Sequence, residues 1–125
     1  MALLLDTNAF IRLLGGKLPL KVERKVQKAT ELILSVASVW EITMKQELSK
    51  RFTASILAEK IVESGVRVLP ITLAHTMALY NLPGHHADPF DRIIIAQALL
   101  EGCPVVSSDQ RFPAYRTIGL HTIWD

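Results

Sequence analysis

Short apolar runs that alternate with helical patterns constrain the fold of this chain more than any other feature. These runs, which are apolar except at Arg67 and Ser107, fall at residues 3–5, 32–34, 66–69 and 105–107, and a last strand is predicted between residues 117 and 123. Strands that alternate with helices pair in parallel through right-handed crossovers. Helices then cover both faces of the sheet, so its strands are apolar throughout. The pattern predicts an α/β fold with a mostly parallel sheet of four to five strands.

Glycine, proline and capping residues set the predicted helix boundaries. The predicted helices span residues 7–14, 19–29, 38–48, 54–63, 73–79 and 89–100. Gly15, Gly65 and Gly102 each follow a helical pattern and are expected to end it. Pro19 and Pro89 stand where two of the helices begin, as proline favours the first helical turn.

Length and composition indicate one domain over residues 1–125 with a substantial core. Cys103 is the only cysteine, so no intramolecular disulfide forms and a structural thiol is expected. No apolar run approaches the roughly 20 residues that span a bilayer, and the N-terminus lacks a signal-peptide pattern. We therefore expect a cytoplasmic protein with no membrane contact. The formal charge of +2 permits a nucleic-acid partner but does not argue for one.

Four acidic residues stand where predicted strands end or helices begin. Asp6 and Asp109 follow the first and fourth apolar runs, and Glu41 and Asp91 are placed in the first turns of two predicted helices. Ligands of open parallel sheets bind outside the carboxyl ends of the strands, where the strand order reverses. The four acids are therefore expected to converge at that edge.

Helix capping is the structural alternative for these acids. Asp6 and Asp109 could be plain N-caps, and Asp88 is expected to cap the helix that Pro89 begins. Ser38 and Glu41 fit a capping box.

Two helical faces argue for more than capping. Asp91 shares an apolar stripe with Ile94, Ile95 and Ala98, which should face the sheet. Glu41 shares a stripe with four residues, namely Ala37, Trp40, Met44 and Leu48. Few cations are expected beside the acids, since Arg92 points about 100° away from Asp91 around the helix. Buried charges without partners indicate a bound cation.

Electrostatic repulsion among four clustered carboxylates would destabilise the fold unless it were relieved. Two like charges about 5 Å apart repel by roughly 3 kcal/mol at an effective dielectric constant of 20. Such a cluster persists only if protons are retained or a cation binds, and Mg²⁺ or Mn²⁺ suits oxygen ligands. The adjacent His85 and His86 are the alternative zinc ligands, whereas His75 and His121 are expected to be packing or surface residues.

Four motifs together resemble the PIN-domain ribonucleases, and more narrowly the VapC-type toxins of toxin–antitoxin pairs. The motifs are Leu-Leu-Asp-Thr-Asn at 4–8, Ser-Val-Trp-Glu-Ile at 38–42, the Asp-Pro-Phe-Asp helix at 88–98 and Val-Ser-Ser-Asp at 106–109. The resemblance covers nearly the whole chain. It implies a PIN-like three-layer sandwich in which helices flank the sheet. It also implies Mg²⁺-dependent endonucleolytic cleavage of RNA, with Mn²⁺ as a substitute.

By position, the resemblance assigns a catalytic and metal-binding quartet to Asp6, Glu41, Asp91 and Asp109. Thr7 and Ser107 match supporting hydroxyl residues, although relatives more often have threonine at the second position. Asn8 stands where relatives often have histidine. We expect Asp6 and Asp91 to be the core metal ligands, Asp109 a ligand directly or through water, and Glu41 an outer ligand or water-orienting base.

The resemblance also implies partners, namely an RNA substrate, a cognate antitoxin protein and a second copy of the chain in a homodimer. Four basic residues form one helical stripe that could contact RNA phosphates, namely Lys21, Arg24, Lys25 and Lys28. A second basic patch comprises Lys45, Lys50 and Arg51. The structural alternative for both is a solvated outer face.

Two other functions remain open on the residues alone. A receiver-like signalling module, which binds Mg²⁺ without hydrolysing RNA, needs a lysine close to its acids, and no lysine follows a predicted strand. A metal-dependent phosphatase would need a second aspartate two residues after Asp6, where this chain has Asn8.

Overall fold

A five-stranded sheet, parallel throughout, forms the centre of the molecule in a computed structural model that describes residues 1–124. Its strands are β1 (Ala2–Leu5), β2 (Glu31–Ser35), β3 (Arg67–Leu69), β4 (Val105–Val106) and β5 (Thr122–Ile123). The spatial order is β3-β2-β1-β4-β5. The predicted α/β class, parallel pairing and strand positions are confirmed.

Helices connect the strands. They are α1 (Thr7–Leu14), α2 (Leu20–Lys28), α3 (Val36–Met44), α4 (Gln46–Arg51), α5 (Ala54–Ser64), α6 (Leu73–Ala78) and α7 (Pro89–Glu101). Two 3₁₀ segments, Leu79–Asn81 and Phe112–Ile118, follow α6 and β4. Within residues 1–124, no helix has the length and apolar composition that crossing a membrane requires.

The strand order reverses beside β1. The chain first extends the sheet from β1 through β2 to β3, and then returns to the other side of β1 with β4 and β5. The crevice of this sheet therefore opens between the carboxyl ends of β1 and β4. Asp6 directly follows β1, and Asp109 lies three residues beyond β4.

Alternation along the strands divides the core into two layers. Leu3 and Leu5 pack on one face of β1, in a cluster that includes Phe10 of α1 and residues of α2 and α5. Leu4 packs on the other face, in a cluster that includes Ile94 of α7. Burying each large apolar side chain contributes about 1.5–3 kcal/mol. The two layers hold the carboxyl edge of the sheet between rigid helices.

The best predicted helix ends are those with strong local signals. The predicted helix 7–14 matches α1, and Gly65 and Gly102 end α5 and α7 with φ angles of 72° and 68°. Asp88 caps α7 as predicted, because its Oδ1 accepts hydrogen bonds from the backbone N–H groups of Phe90 and Asp91.

The predicted single helix over residues 38–48 is wrong. The structure has two helices there, α3 and α4, separated by Lys45 in an extended conformation (φ −84°, ψ 118°). Ser35 rather than Ser38 is the N-cap, with its Oγ accepting from the backbone N–H of Ala37 at 3.0 Å. Because the Ser35 hydroxyl lies at the end of β2, it accepts a hydrogen bond from the first helical turn, and the N-cap of the helix lies three residues before that of the predicted capping box.

This shift also changes the buried face of α3. Trp40 and Met44, predicted to share a buried stripe with Glu41, are 56% and 63% exposed. The buried residues are Ala37, Ser38, Glu41 and Ile42. Glu41 lies in the second turn of α3 and is buried as predicted, although the residues buried beside it differ from the predicted stripe.

Candidate active site

Topology brings the four predicted acids to the carboxyl edge of the sheet. Asp6 follows β1, Asp109 follows β4, and Glu41 lies on α3, which leaves the carboxyl end of β2. Because α7 leads into β4, its N-terminus lies at the same edge and carries Asp91 there.

Asp6 is buried at the start of α1. Its Oδ1 accepts a hydrogen bond of 2.7 Å from the backbone N–H of Ala9, so it caps the helix as the structural alternative predicted. Burial raises the pKa of Asp6 to about 6, against the lowering effect of hydrogen bonds from the Ser107 hydroxyl and the Ala9 backbone. The nearby charges of Asp109 and Glu41 raise the pKa as well. Capping therefore offsets only part of the cost of ionising this side chain.

Asp91 has a raised pKa because it is partly buried among other acids. Burial and then the charges of four neighbouring acids raise its pKa to about 7. Those neighbours are Asp88, Asp6, Glu41 and Asp109. Among residues 1–124, no lysine or arginine forms an ion pair with Asp6 or Asp91. The two central acids thus lack a permanent positive partner.

The two outer acids do have cationic partners, which corrects the expectation of few cations. Lys45 forms an ion pair with Glu41 from the end of α3, so a lysine also lies beside the acids, contrary to the argument against a receiver-like module. Arg111 donates from its backbone and guanidinium to both oxygens of Asp109, at 2.8–3.0 Å. Partial burial opposes ionisation of Asp109, but hydrogen bonds from Arg111 and His86 bring its pKa well below its usual range.

Thr7 and Ser107 connect these acids. The buried hydroxyl of Thr7 lies 2.6 Å from Glu41 Oε1, to which it donates, and 2.9 Å from Ser38 Oγ. The Ser107 Oγ accepts from the backbone N–H of Asp109 at 3.0 Å and hydrogen-bonds the Asp6 side chain. Both hydroxyls thus lie in contact with the predicted quartet.

Sequence reasoning missed the placement of His86. Its Nε2 lies 2.9 Å from Asp109 Oδ2 and 3.1 Å from Asp91 Oδ2, and its side chain is fully buried. His85, its partner in the zinc alternative, is exposed and packs edge-on against Tyr115 instead. The sequence offered one indication of this placement. His86 stands two residues before Asp88, the N-cap of α7, and a residue at that position can lie beside the first turn of the helix.

The donor set fits a hard divalent cation. Carboxylate oxygens dominate the cluster, and hydroxyls support them, which is the chemistry that Mg²⁺ and Mn²⁺ prefer. Asp6 is buried and Asp91 is partly buried, and the pKa of each is raised. Neither has a lysine or arginine partner within residues 1–124, so added positive charge between them would be stabilising. One ligand atom each from His86, Asp91 and Asp109 lies within 4.8 Å of the other two.

Basic side chains flank this cluster on one side. The stripe formed by Lys21, Arg24, Lys25 and Lys28 is exposed on α2 as predicted. Val22 and Val26 bury the opposite face of that helix. A cleft of about 960 Å³ has Asp109 of the four acids and Lys25 of this stripe in its lining. Its lining includes Asp109, Lys25, Arg116, His121 and Trp124.

Comparisons with known proteins agree with this fold. The VapBC structure from Salmonella typhimurium, solved bound to DNA, has a TM-score of 0.72 at 18% identity, over 100% of this chain and 99% of that chain. VapBC2 from Rickettsia felis, bound to a promoter DNA fragment, has a TM-score of 0.68 at 15% identity over the whole of both chains. VapBC-1 from nontypeable Haemophilus influenzae has a TM-score of 0.68 at 19% identity, covering 98% of this chain and 97% of that chain.

These identities show a shared fold, and no curated protein matches the chain in sequence. The sequence model of the PIN domain matches residues 3–117. That match includes every one of the four clustered acids and most of the chain. The chain belongs to the PIN domain family.

Proposed function

We propose that this chain is a divalent-metal-dependent endoribonuclease and the toxin of a toxin–antitoxin pair. The observation that carries the proposal is the pair formed by Asp6 and Asp91. Both carboxyl groups lie at the strand switch point of a PIN domain, both resist ionisation, and neither has a lysine or arginine partner within residues 1–124. A bound cation supplies the missing charge.

Asp6 and Asp91 are the core metal ligands in this proposal. When bound, Mg²⁺ or Mn²⁺ polarises the scissile phosphate and lowers the pKa of a water molecule toward neutrality. Glu41 and Thr7 orient water, because the Thr7 hydroxyl and Lys45 fix the Glu41 carboxylate at the edge of the cluster. Ser107 fixes the position of Asp6 relative to Asp109, because its hydroxyl hydrogen-bonds both the Asp6 side chain and the backbone of Asp109.

Asp109 takes an outer position in this proposal. Its Oδ1 accepts from the Arg111 backbone and Nε, and its Oδ2 accepts from Arg111 Nη2 and lies beside His86. Both lone pairs of each oxygen thus have partners. Asp109 would therefore help to hold the ion through a water molecule, or directly if Arg111 released it.

The cleft beside Asp109 and the basic stripe on α2 form the path of the RNA. Exposed lysine and arginine side chains neutralise phosphates, while Trp124 in the cleft offers a ring for base contact. The negative charge of the acids would otherwise repel the RNA backbone. Cations on the approach side offset this repulsion.

Incubation of purified protein with end-labelled single-stranded RNA tests the proposed activity. Cleavage is expected with Mg²⁺ or Mn²⁺ and is expected to stop with EDTA. Cleavage that persists in EDTA would contradict metal dependence. Metal binding without RNA cleavage would instead support a receiver-like module.

Replacing Arg24 and Lys28 together by glutamine is expected to weaken RNA binding without changing metal affinity. Both side chains are exposed on α2, so the fold should tolerate the change. The slope of log affinity against log salt should fall by about 1.4, since each single-strand phosphate contact contributes about 0.7. Glu23→Gln, on the same helix, is the matched control and should leave the slope unchanged. An unchanged slope in the double variant would assign the stripe to a solvated face.

The structural neighbours support the proposed antitoxin partner. The similar structures described above are of VapBC complexes. We propose that a small antitoxin covers the entrance to the acidic cluster and places a cationic side chain against the carboxylates. We also propose a homodimer, and light scattering that shows a monomer at tens of micromolar would contradict it.

A further inference from the structure

His86 occupies a loop that is fixed from two sides. The guanidinium of Arg92 donates to the backbone carbonyls of Pro83, Leu82 and His86 at 3.1–3.2 Å. The Tyr115 hydroxyl accepts from the backbone N–H of His86 at 2.9 Å and donates to the Pro83 carbonyl at 2.7 Å. These contacts leave the imidazole little freedom to move.

The hydrogen bond at the inner ring nitrogen defines the tautomer of His86. The backbone N–H of Asp88 donates to Nδ1 at 3.1 Å. A backbone N–H is a donor only, so Nδ1 must present a lone pair and the ring hydrogen must be on Nε2. The backbone bond at Nδ1 is therefore compatible with one form of the ring, the neutral Nε2–H tautomer.

Nε2 faces two acids of the cluster. Asp109 Oδ2 lies at 2.9 Å and Asp91 Oδ2 at 3.1 Å, and both carboxylate oxygens can accept. The contact with Asp109 is a hydrogen bond, whereas Asp91 Oδ2 lies close to the same nitrogen without the geometry of a hydrogen bond. His86 therefore fixes the Asp109 carboxylate and lies between it and Asp91, which comes from the first turn of α7.

The geometry points to His86 as a positioning residue, a neutral Nε2–H donor that holds Asp109 in place beside Asp91, and not as a metal ligand. A ring nitrogen that carries hydrogen has no free lone pair for a metal ion. Coordination through Nε2 would require the hydrogen to move to Nδ1 and the Asp88 hydrogen bond to break. The role of His86 in positioning a metal ligand rests on the proposed function. The tautomer of its ring rests on the hydrogen bonds alone.

Nitrogen NMR of the ¹⁵N-labelled wild-type protein tests the tautomer directly. The His86 ring is expected to show hydrogen on Nε2 and a bare Nδ1, both with EDTA and with saturating Mg²⁺. Hydrogen on Nδ1, hydrogen on both nitrogens, or loss of the Nε2 hydrogen when Mg²⁺ is added would overturn the proposal.

Two variants test the positioning role through Mn²⁺ affinity measured by calorimetry. His86→Leu is expected to weaken Mn²⁺ binding by about 10–100-fold, the usual effect of removing a group that orients metal ligands. His86→Gln carries an N–H donor of similar reach, and is expected to recover most of that loss. Wild-type affinity in a folded leucine variant, or equal losses in both variants, would contradict a donor role.

The outcome does not depend on RNA cleavage. Thermal melting establishes whether each variant folds, and if the leucine variant does not, the NMR spectrum of the wild-type protein decides. A protein that binds Mn²⁺ with the expected variant pattern but does not cleave RNA would contradict the proposed function and leave the role of His86 intact.

Discussion

Asp91→Asn is expected to reduce the rate of RNA cleavage by at least about 100-fold, the scale of losing one key electrostatic contact at a reacting centre. The substitution preserves the size of the side chain and removes its charge. Asp91 lies among the acids at the carboxyl edge of the sheet, and in our account its carboxylate binds the metal. An amide cannot replace that charge. The measurement is the initial rate of cleavage of a labelled RNA at saturating Mg²⁺.

Asp88→Asn is the matched control, because Asp88 is three residues away and caps the same helix. Its Oδ1 accepts from two backbone N–H groups of the first turn of α7. Asparagine caps helices about as well as aspartate, so activity should change far less. Equal losses at the two positions would assign the effect to the start of α7 rather than to metal binding.

The metal-free stability of the protein should rise when Asp91 is replaced by asparagine. Burial and neighbouring acids raise the pKa of Asp91 from its ordinary value of 3.8 to about 7 in the folded chain, so folding disfavours its charged form. Below the ordinary pKa, Asp91 is protonated in both the folded and the unfolded protein, and it does not lower the stability of the fold. The penalty grows as the pH rises toward 7 and is complete above it. It amounts to a few kcal/mol above pH 7, since one pKa unit corresponds to about 1.4 kcal/mol.

Thermal melts at pH 5 and pH 8 in EDTA measure this effect. We expect the melting temperature of Asp91→Asn to exceed that of the wild type by roughly 5 °C or more at pH 8, and by less at pH 5. Mn²⁺ should raise the melting temperature of the wild type and shift that of Asp91→Asn much less, because an ion at 100 times its dissociation constant adds about 2.7 kcal/mol to a protein that binds it. If the wild type showed no shift in millimolar Mn²⁺, the cation site would be absent.

Local signals explain which parts of the fold the sequence predicted. The apolar runs located four of the five strands, since a buried strand has little polar alternation to obscure it, and the fifth was predicted only as lying between residues 117 and 123. The helix at 38–48 was wrong because Ser35 and Ser38 are both credible caps, and only the end of β2 decides between them. The break at Lys45 has no glycine or proline to mark it. It coincides with the ion pair that Lys45 makes with Glu41.

The acids of the site could be placed because topology determines where strand ends meet. Their partners could not, because contacts such as Arg111 with Asp109 depend on loop conformations that have no periodic pattern. The same holds for His86, whose loop is fixed by the distant Tyr115 and by Arg92. Sequence reasoning noted only that Arg92 points away from Asp91. The structure shows that its guanidinium donates to the carbonyls of that loop.

Anomalous diffraction from a crystal of the wild-type protein soaked in Mn²⁺ tests the central claim most directly. The claim is that Asp6, which is buried, and Asp91, which is partly buried, hold a divalent ion, and that neither has a lysine or arginine partner within residues 1–124. We expect an anomalous peak in contact with carboxylate oxygens of both residues, and no such peak in a soaked crystal of Asp91→Asn. A wild-type crystal without manganese density between Asp6 and Asp91 would contradict the account.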